Sequence, residues 1–356
     1  MSLDATRDRA TAKPDASARR HATLSPAALL ALLCEGDALS GSALASTLGI
    51  SRAAIWKQIE QLRALGLPIA ATAGQGYRLE APVDLLDAAL METAVAPEQR
   101  ARIGAIDLFW QIDSTSSELL RRAANDPAPR ACLAEIQTRG RGRRGRAWRM
   151  PLAGGIALSM LRPFESGMAA LAGLSLVAGI AVVRALADEG IDRAALKWPN
   201  DIVVDGKKLG GILVELGGDA LGPCHAVIGV GINVRLGAQA GAAIDQPWID
   251  LATLAPDRAL LRNRLAGRIL SRLAEALDSF AACGFAPFAA EYERCDALRG
   301  RLVTVSGTGD AWNGTAGGVT PRGALKVMRD GSEVHVDSGE VSVRAQREAL
   351  DNDALS

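Results

Sequence analysis

Hydrophobic and polar positions change their period several times along this chain of 356 residues. In SPAALLALLCEG, the residues Leu29, Leu30, Leu32 and Leu33 make the apolar face of a helix, with Ser25 as its cap and Pro26 in its first turn. SGSALASTLGI predicts a short helix stopped near Gly49. SRAAIWKQIEQLRALG repeats Ile55, Ile59, Leu62 and Leu65 at helical spacing, starting from Ser51 as N-cap and ending at Gly66. PIAATAGQGYRLEAP then alternates as two short strands around Gly74-Gln75-Gly76. Three helices and a hairpin, with a tight corner at Gly49-Ile50-Ser51, are the pattern of a winged helix-turn-helix. A small helical interaction domain fits the same periodicity.

From about residue 100 the pattern becomes mixed. AIDLFWQI reads as a strand, and STSSELLRRAAN as a helix capped near Ser114 or Thr115. ACLAEIQ and GGIALSMLR are strands, and MAALAGLSLVAGIAVVRALADEG is one long buried helix ending at Gly190. ALKWPNDIVVDGKKLGGILVELGG alternates as two strands around an Asp205-Gly206 turn, and CHAVIGVGINV is a further strand. Helices near 257–282 and 285–296 close the segment. Hairpin-linked strands with helices between them predict an α+β domain with a mixed sheet. GRLVTVSG, AWNGTAGGVT, GALKVMRD, SEVHVDSG and EVSVRA then alternate between Gly-rich turns, as in a small SH3-like barrel. The expected domains are 25–82, 100–298 and 299–346, with a flexible arm at 1–24 and a tail at 347–356.

Charge adds little globally: Lys+Arg 40 equals Asp+Glu 40, so any basic site must be local. The five cysteines form no CxxC pair, and the three histidines do not cluster with them, which argues against a zinc site or a His-based triad. The N-terminus has no apolar core of a signal peptide. The apolar run Met168–Val183 falls short of the ~20 residues that span a bilayer. A cytoplasmic location without membrane association is expected.

Candidate chemistry concentrates in three stretches. QTRGRGRRGRAW, residues 137–148, interleaves glycines with arginines directly after a predicted strand. Glycine lets backbone N–H groups approach an anion, and arginine adds a planar fork for phosphate or carboxylate. No Walker A lysine-serine pair follows, so it is not a P-loop. A solvated basic loop remains the alternative for this stretch taken alone. KWPND, residues 197–201, sets Lys197 and Asn200 inside an otherwise apolar strand, where polar groups need partners. KKLGGILVE, residues 207–215, sets Lys207 and Lys208 before a glycine pair. In GVGIN, residues 229–233, the glycines leave room for a flat ligand against the backbone.

In this order and spacing, DSTS (113–116), EIQTRGRGRRGRAW (135–148), KWPNDIVVDGKKLGGILVE (197–215) and GVGIN resemble the successive signatures of the biotin–protein ligases. The resemblance runs from about residue 25 to 345 and includes the winged helix, so the chain resembles the bifunctional type, a ligase that is also the biotin operon repressor. It implies a class II synthetase-like catalytic domain that joins biotin to ATP as biotinyl-5′-AMP, with Mg²⁺ on the triphosphate. Biotin then passes to one lysine of the biotin carboxyl carrier protein of acetyl-CoA carboxylase.

By the same resemblance, Arg143 and Lys208 are the catalytic cations. Biotin is expected against Ser114, Thr115, Ser116, Gln137, Gly140, Arg141, Gly142, Arg143, Lys208, Gly211, Gly229 and Gly231. Adenylate is expected against Arg143, Arg146, Trp148, Asn200, Lys208, Asn233, Trp248 and Arg344. No protein metal ligand is expected. Ser116 stands where the family usually has Asn, and Ala147 where a lysine is common. DNA is expected at Ser51, Arg52, Trp56, Lys57, Gln61 and Arg78, with Trp56 either packed in the core or standing in the path of a groove. A homodimer promoted by bound ligand and an operator site are implied partners. The alternatives are a biotin-sensing regulator without ligase activity and a ligase whose winged helix no longer binds DNA. A lipoate ligase, related in fold, is disfavoured by GRGRRG with KWPND.

Overall fold

The computed structural model describes residues 26–72, 74–242, 244–256, 262–307, 309–339 and 341–345. They fall into two compact units, one up to Val83 and one from Asp84 onward. The expected arm, the cap at Ser25 and the tail lie outside the described residues.

The first unit holds helices Pro26–Leu33, Gly41–Leu48 and Arg52–Ala64, then an antiparallel hairpin of β1 (Ile69–Thr72) and β2 (Gly76–Leu79). Ser40 and Ser51 cap the second and third helices, each hydroxyl accepting a backbone N–H three residues on at 3.1 Å. The core is Leu29, Leu30, Leu33, Leu44, Ile55, Ile59 and Leu62. Full burial of each such side chain is worth about 1.5–3 kcal/mol. Leu32 and Leu65, predicted on apolar faces, stay half-buried.

The second unit is built on a seven-stranded mixed sheet of order β3-β4-β5-β9-β8-β7-β6. Its strands are β3 (Ala105–Ile112), β4 (Arg130–Gln137), β5 (Gly155–Phe164), β6 (Ala195–Lys197), β7 (Asp201–Val204), β8 (Lys207–Gly218) and β9 (Cys224–Asn233). Only the β3–β4 pair is parallel. Helices Leu174–Asp188 and Arg262–Cys283 share one large core with the sheet. Helix Thr115–Ala123 makes a separate small core through Leu119 and Ala123 against Cys132, Leu161 and Val227.

Two readings change. The long helix expected from Met168 is a 3₁₀ turn, Met168–Leu171, followed by helix Leu174–Asp188. The break is at Gly173, whose φ of 85° no other residue takes readily and whose Cβ would stand 3.0 Å from the Phe285 ring. KWPND is not the interior of a strand. Lys197 ends β6, Asp201 starts β7, and Trp198-Pro199-Asn200 connects them, since proline has no N–H for the ladder. The helix expected near 257–282 is present as Arg262–Cys283, with 257–261 outside the described residues.

Residues 84–99, left between domains by the sequence pattern, belong to the second unit. A buried pair holds their start: Arg262 donates to Glu135 at 2.9 Å, with side chains 2% and 6% exposed. Arg262 also donates to the Asp84 and Gly155 carbonyls, and Glu135 accepts the Leu86 N–H at 2.6 Å. Asn263 adds bonds to Asp84 and Leu85.

A five-stranded antiparallel sheet of order β13-β12-β11-β10-β14 completes the unit. It comprises β10 (Leu302–Ser306), β11 (Trp312–Val319), β12 (Leu325–Arg329), β13 (Ser332–Val336) and β14 (Ser342–Ala345). Trp198 is buried and its indole donates to the Gly323 carbonyl at 3.1 Å, so the KWPND turn is riveted to this sheet. Among the described residues no helix is long and apolar enough to cross a membrane.

Candidate functional site

A cleft of about 830 Å³ opens over the sheet of the second unit. One end is neutral and polar. Ser114 caps helix Thr115–Ala123, its hydroxyl accepting the Ser117 N–H, so the DSTS turn is set by ordinary capping. Arg121 pairs with Asp113 and holds that carboxyl down at about 2. Gln137, at the end of β4, accepts the Thr115 N–H at 2.9 Å. The Thr115 and Ser116 hydroxyls both meet Ser159 Oγ, at 2.8 and 2.9 Å. Gly229 lies opposite Ser159 on β9, and a Cβ there would stand 2.8 Å from Ser116 Oγ. At Gly231 a Cβ would strike the Trp148 ring at 2.5 Å, so the indole lies directly against bare backbone. The Trp148 indole nitrogen is buried and finds no acceptor among the described residues.

The other end is cationic. The GRGRRG segment is a folded loop: Gly142 donates to the Arg146 carbonyl at 2.7 Å and Trp148 to the Gly140 carbonyl at 2.8 Å. Arg143 donates to Asn200 Oδ1 at 3.3 Å and to the Ser338 and Gly339 carbonyls of the C-terminal sheet. Burial lowers its pKa, the charges of Arg144 and Arg146 act the same way, and Asp201 opposes them. Lys208 pairs with Asp201 at 2.6 Å and stands 6.0 Å from the Trp148 ring centre. Asn200 closes the turn by donating to the Ile212 carbonyl at 2.8 Å. Opposite, the Trp248 segment bonds alongside Lys208 through Pro247 and Ile249 backbone groups.

Of the residues expected at biotin or adenylate, all but Gly140 line this one cleft. Gly140 is buried beneath the loop, where a Cβ would stand 2.4 Å from the Trp148 carbonyl oxygen. Arg141 lines the cleft, but its guanidinium is engaged by Glu215 at 2.7 Å. The Asn233 amide donates to the Lys208 and Ile249 carbonyls, and Arg344 reaches the wall from β14. Several lining residues carry no role in the sequence pattern, Ser159 and Lys197 among them. Ser159 is a lone hydroxyl in an apolar strand, and Lys197 was noticed but given no role.

In the first unit, Arg52, Lys57 and Gln61 stand exposed on the third helix and Arg78 on β2. Trp56 is 59% exposed, which removes the core alternative for it.

Residues 108–233 match the biotin/lipoate A/B protein ligase family, residues 27–78 an HTH domain, and residues 300–344 the biotin protein ligase C-terminal domain. The chain is 38% identical over 320 residues to the bifunctional ligase/repressor BirA of Escherichia coli, covering 90% of this chain and 97% of that one. It is 38% identical over 177 residues to the biotin–[acetyl-CoA-carboxylase] ligase of Mycobacterium tuberculosis, covering 47% of this chain and 62% of that one. The biotin protein ligase from Aquifex aeolicus in complex with biotin and ATP superposes with a TM-score of 0.58 at 27% identity, covering 68% of this chain and 99% of that one. Coverage this complete, with the cleft and the helix-turn-helix unit both in place, means that the chain belongs to the family of bifunctional biotin ligase/repressors.

Proposed function

We propose that the protein activates biotin with ATP as biotinyl-5′-AMP, transfers it to a lysine of the biotin carboxyl carrier protein of acetyl-CoA carboxylase, and represses transcription when loaded. The observation that carries this reading is a single cleft joining a neutral hydroxyl and amide pocket to a group of cations. The ureido head of biotin offers N–H and C=O groups that match Ser114, Thr115, Ser116 and Gln137. Its carboxylate must approach an α-phosphate, and two anions come together only beside positive charge. Arg143 and Lys208 supply it, lowering the barrier by stabilising charge on the phosphate. In the transfer step the acceptor amine attacks the mixed anhydride carbonyl and AMP leaves, so no protein nucleophile is needed. Trp148, Asn200, Trp248 and Arg344 form the adenylate walls.

Magnesium is read as part of the MgATP substrate. Among the described residues no three His, Cys, Asp or Glu side chains gather as a cage. A phosphate-borne ion needs only one or two carboxylates.

Arg52, Trp56, Lys57, Gln61 and Arg78 face operator DNA, with Ser51 holding the helix start. Two such units are brought to two half-sites by a homodimer that forms when ligand is bound, because a loop already fixed by ligand need not be ordered again. The segments 25–82, 100–298 and 299–346 divide these tasks, and the protein works in the cytoplasm.

Incubation with ATP, labelled biotin and a carrier domain tests the reading; covalent label on the carrier is expected. Binding of both substrates without transfer would support a sensor instead, and competition by lipoate would redirect the substrate. Sedimentation of the protein with and without biotinyl-5′-AMP tests the dimer, and operator binding under the same conditions tests the repressor.

A further inference from the structure

Lys197 ends β6 directly opposite Asp201 and lines the cleft half-buried. Its neighbours among the cations are engaged: Lys208 with Asp201 at 2.6 Å, Arg141 with Glu215 at 2.7 Å, and Arg143 with the Gly339 carbonyl at 2.7 Å. The carbonyl of Lys197 accepts the Asn200 N–H at 3.2 Å, but its ammonium makes no hydrogen bond or ion pair among the described residues. Burial pushes its ammonium pKa down, and the charges of Lys208, Arg344 and Arg146 push the same way against Asp201. A half-buried cation whose one nearby carboxylate is already held by another lysine gains most from an arriving anion.

We infer that Lys197 binds the β- and γ-phosphates of the nucleotide and stabilises the pyrophosphate that leaves during adenylation. The inference rests on the ligase reading above. In that step a biotin carboxylate oxygen bonds to the α-phosphorus. The bond from that phosphorus to the bridging oxygen of the β-phosphate breaks, and its electron pair leaves with pyrophosphate. No proton is transferred. Charge therefore builds on the leaving group, beyond the carboxylate and α-phosphate assigned to Arg143 and Lys208. Arg146 and Arg344, exposed on the cleft wall, are the other cations whose fields reach Lys197, and they extend this leaving-group site. In the transfer step pyrophosphate has already departed, so Lys197 has no part in it.

The test separates the two half-reactions in Lys197→Met and Lys197→Arg. ATP–pyrophosphate exchange in Lys197→Met is expected to fall roughly 10- to 100-fold. In pyrophosphorolysis of biotinyl-5′-AMP, the KM for inorganic pyrophosphate rises. Lys197→Arg recovers most of both. Single-turnover transfer from supplied biotinyl-5′-AMP to the carrier stays within about twofold, since no interaction made in that transition state is removed. Unchanged exchange, or an equal fall in both half-reactions, overturns the inference. If Lys197→Met does not fold, Lys197→Gln takes its place with the same expectations. Wild-type protein without any exchange overturns the ligase reading itself, and this inference with it.

Discussion

At one end of the cleft Thr115, Ser116, Gln137 and Ser159 hydrogen-bond to one another, while at the other Arg143, Lys197 and Lys208 gather around Asp201 and Arg146 and Arg344 line the same wall. The hydroxyls and amide of the neutral end are already bonded to one another, so a ligand meeting them exchanges one set of hydrogen bonds for another and is selected by shape and donor order. The cationic end has more positive charge than the cleft's acceptors match, so it selects by charge and gains strongly when phosphates arrive. Support differs as well. Beneath the neutral end, β4 carries Glu135 into a buried pair with Arg262, whereas the arginine loop is tied by the partly exposed pair Arg141–Glu215. On the proposed reading, a reactive mixed anhydride is gripped by fit at one end and by charge at the other.

The largest break in this contrast is expected from Glu135→Ala, which leaves Arg262 buried without its carboxylate and costs about 3–5 kcal/mol of stability by chemical denaturation. A loss below 1 kcal/mol would mean that the pair does not support β4. Next comes Lys208→Ala, expected to slow pyrophosphate release roughly 10²-fold, about 2.7 kcal/mol, with biotin affinity in the absence of ATP changed far less. Equal losses in both would erase the division of labour. Ser159→Ala takes a shared partner from two buried hydroxyls, and about 1–3 kcal/mol of biotin binding should go by calorimetry while KM for ATP holds. An effect on ATP alone would place Ser159 at the wrong end. Smallest is Arg141→Ala: removing its partly exposed pair should change stability by no more than about 1 kcal/mol, and a larger loss in denaturation would make the loop's anchor a structural one.

Much of this was legible along the chain. Ile55, Ile59 and Leu62 repeat at helical spacing and are buried, and AIDLFWQI became β3 residue for residue. That the QTRGRGRRGRAW stretch is a folded loop on a cleft was readable because its glycines, its preceding strand and KWPND recur together as a resemblance. Its glycine-arginine composition alone left a solvated loop open. Ser116, the departure from the usual Asn, was visible too, but its partner was not: Ser159 is 43 residues away and looks like one tolerated hydroxyl in an apolar strand.

Sequence by itself determined most of the elements, their order and the family resemblance, because periodicity and capping act over a few residues. Tertiary structure decided what those elements bring together. The Glu135–Arg262 pair spans 127 residues, Trp198 reaches Gly323 across 125, and Gly173 breaks a helix where the Phe285 ring leaves no room. Such contacts carry no local signal, since each residue is ordinary in its own segment. Their energy arises only when the sheet sets distant side chains within a few ångströms and excludes the water that would otherwise satisfy them.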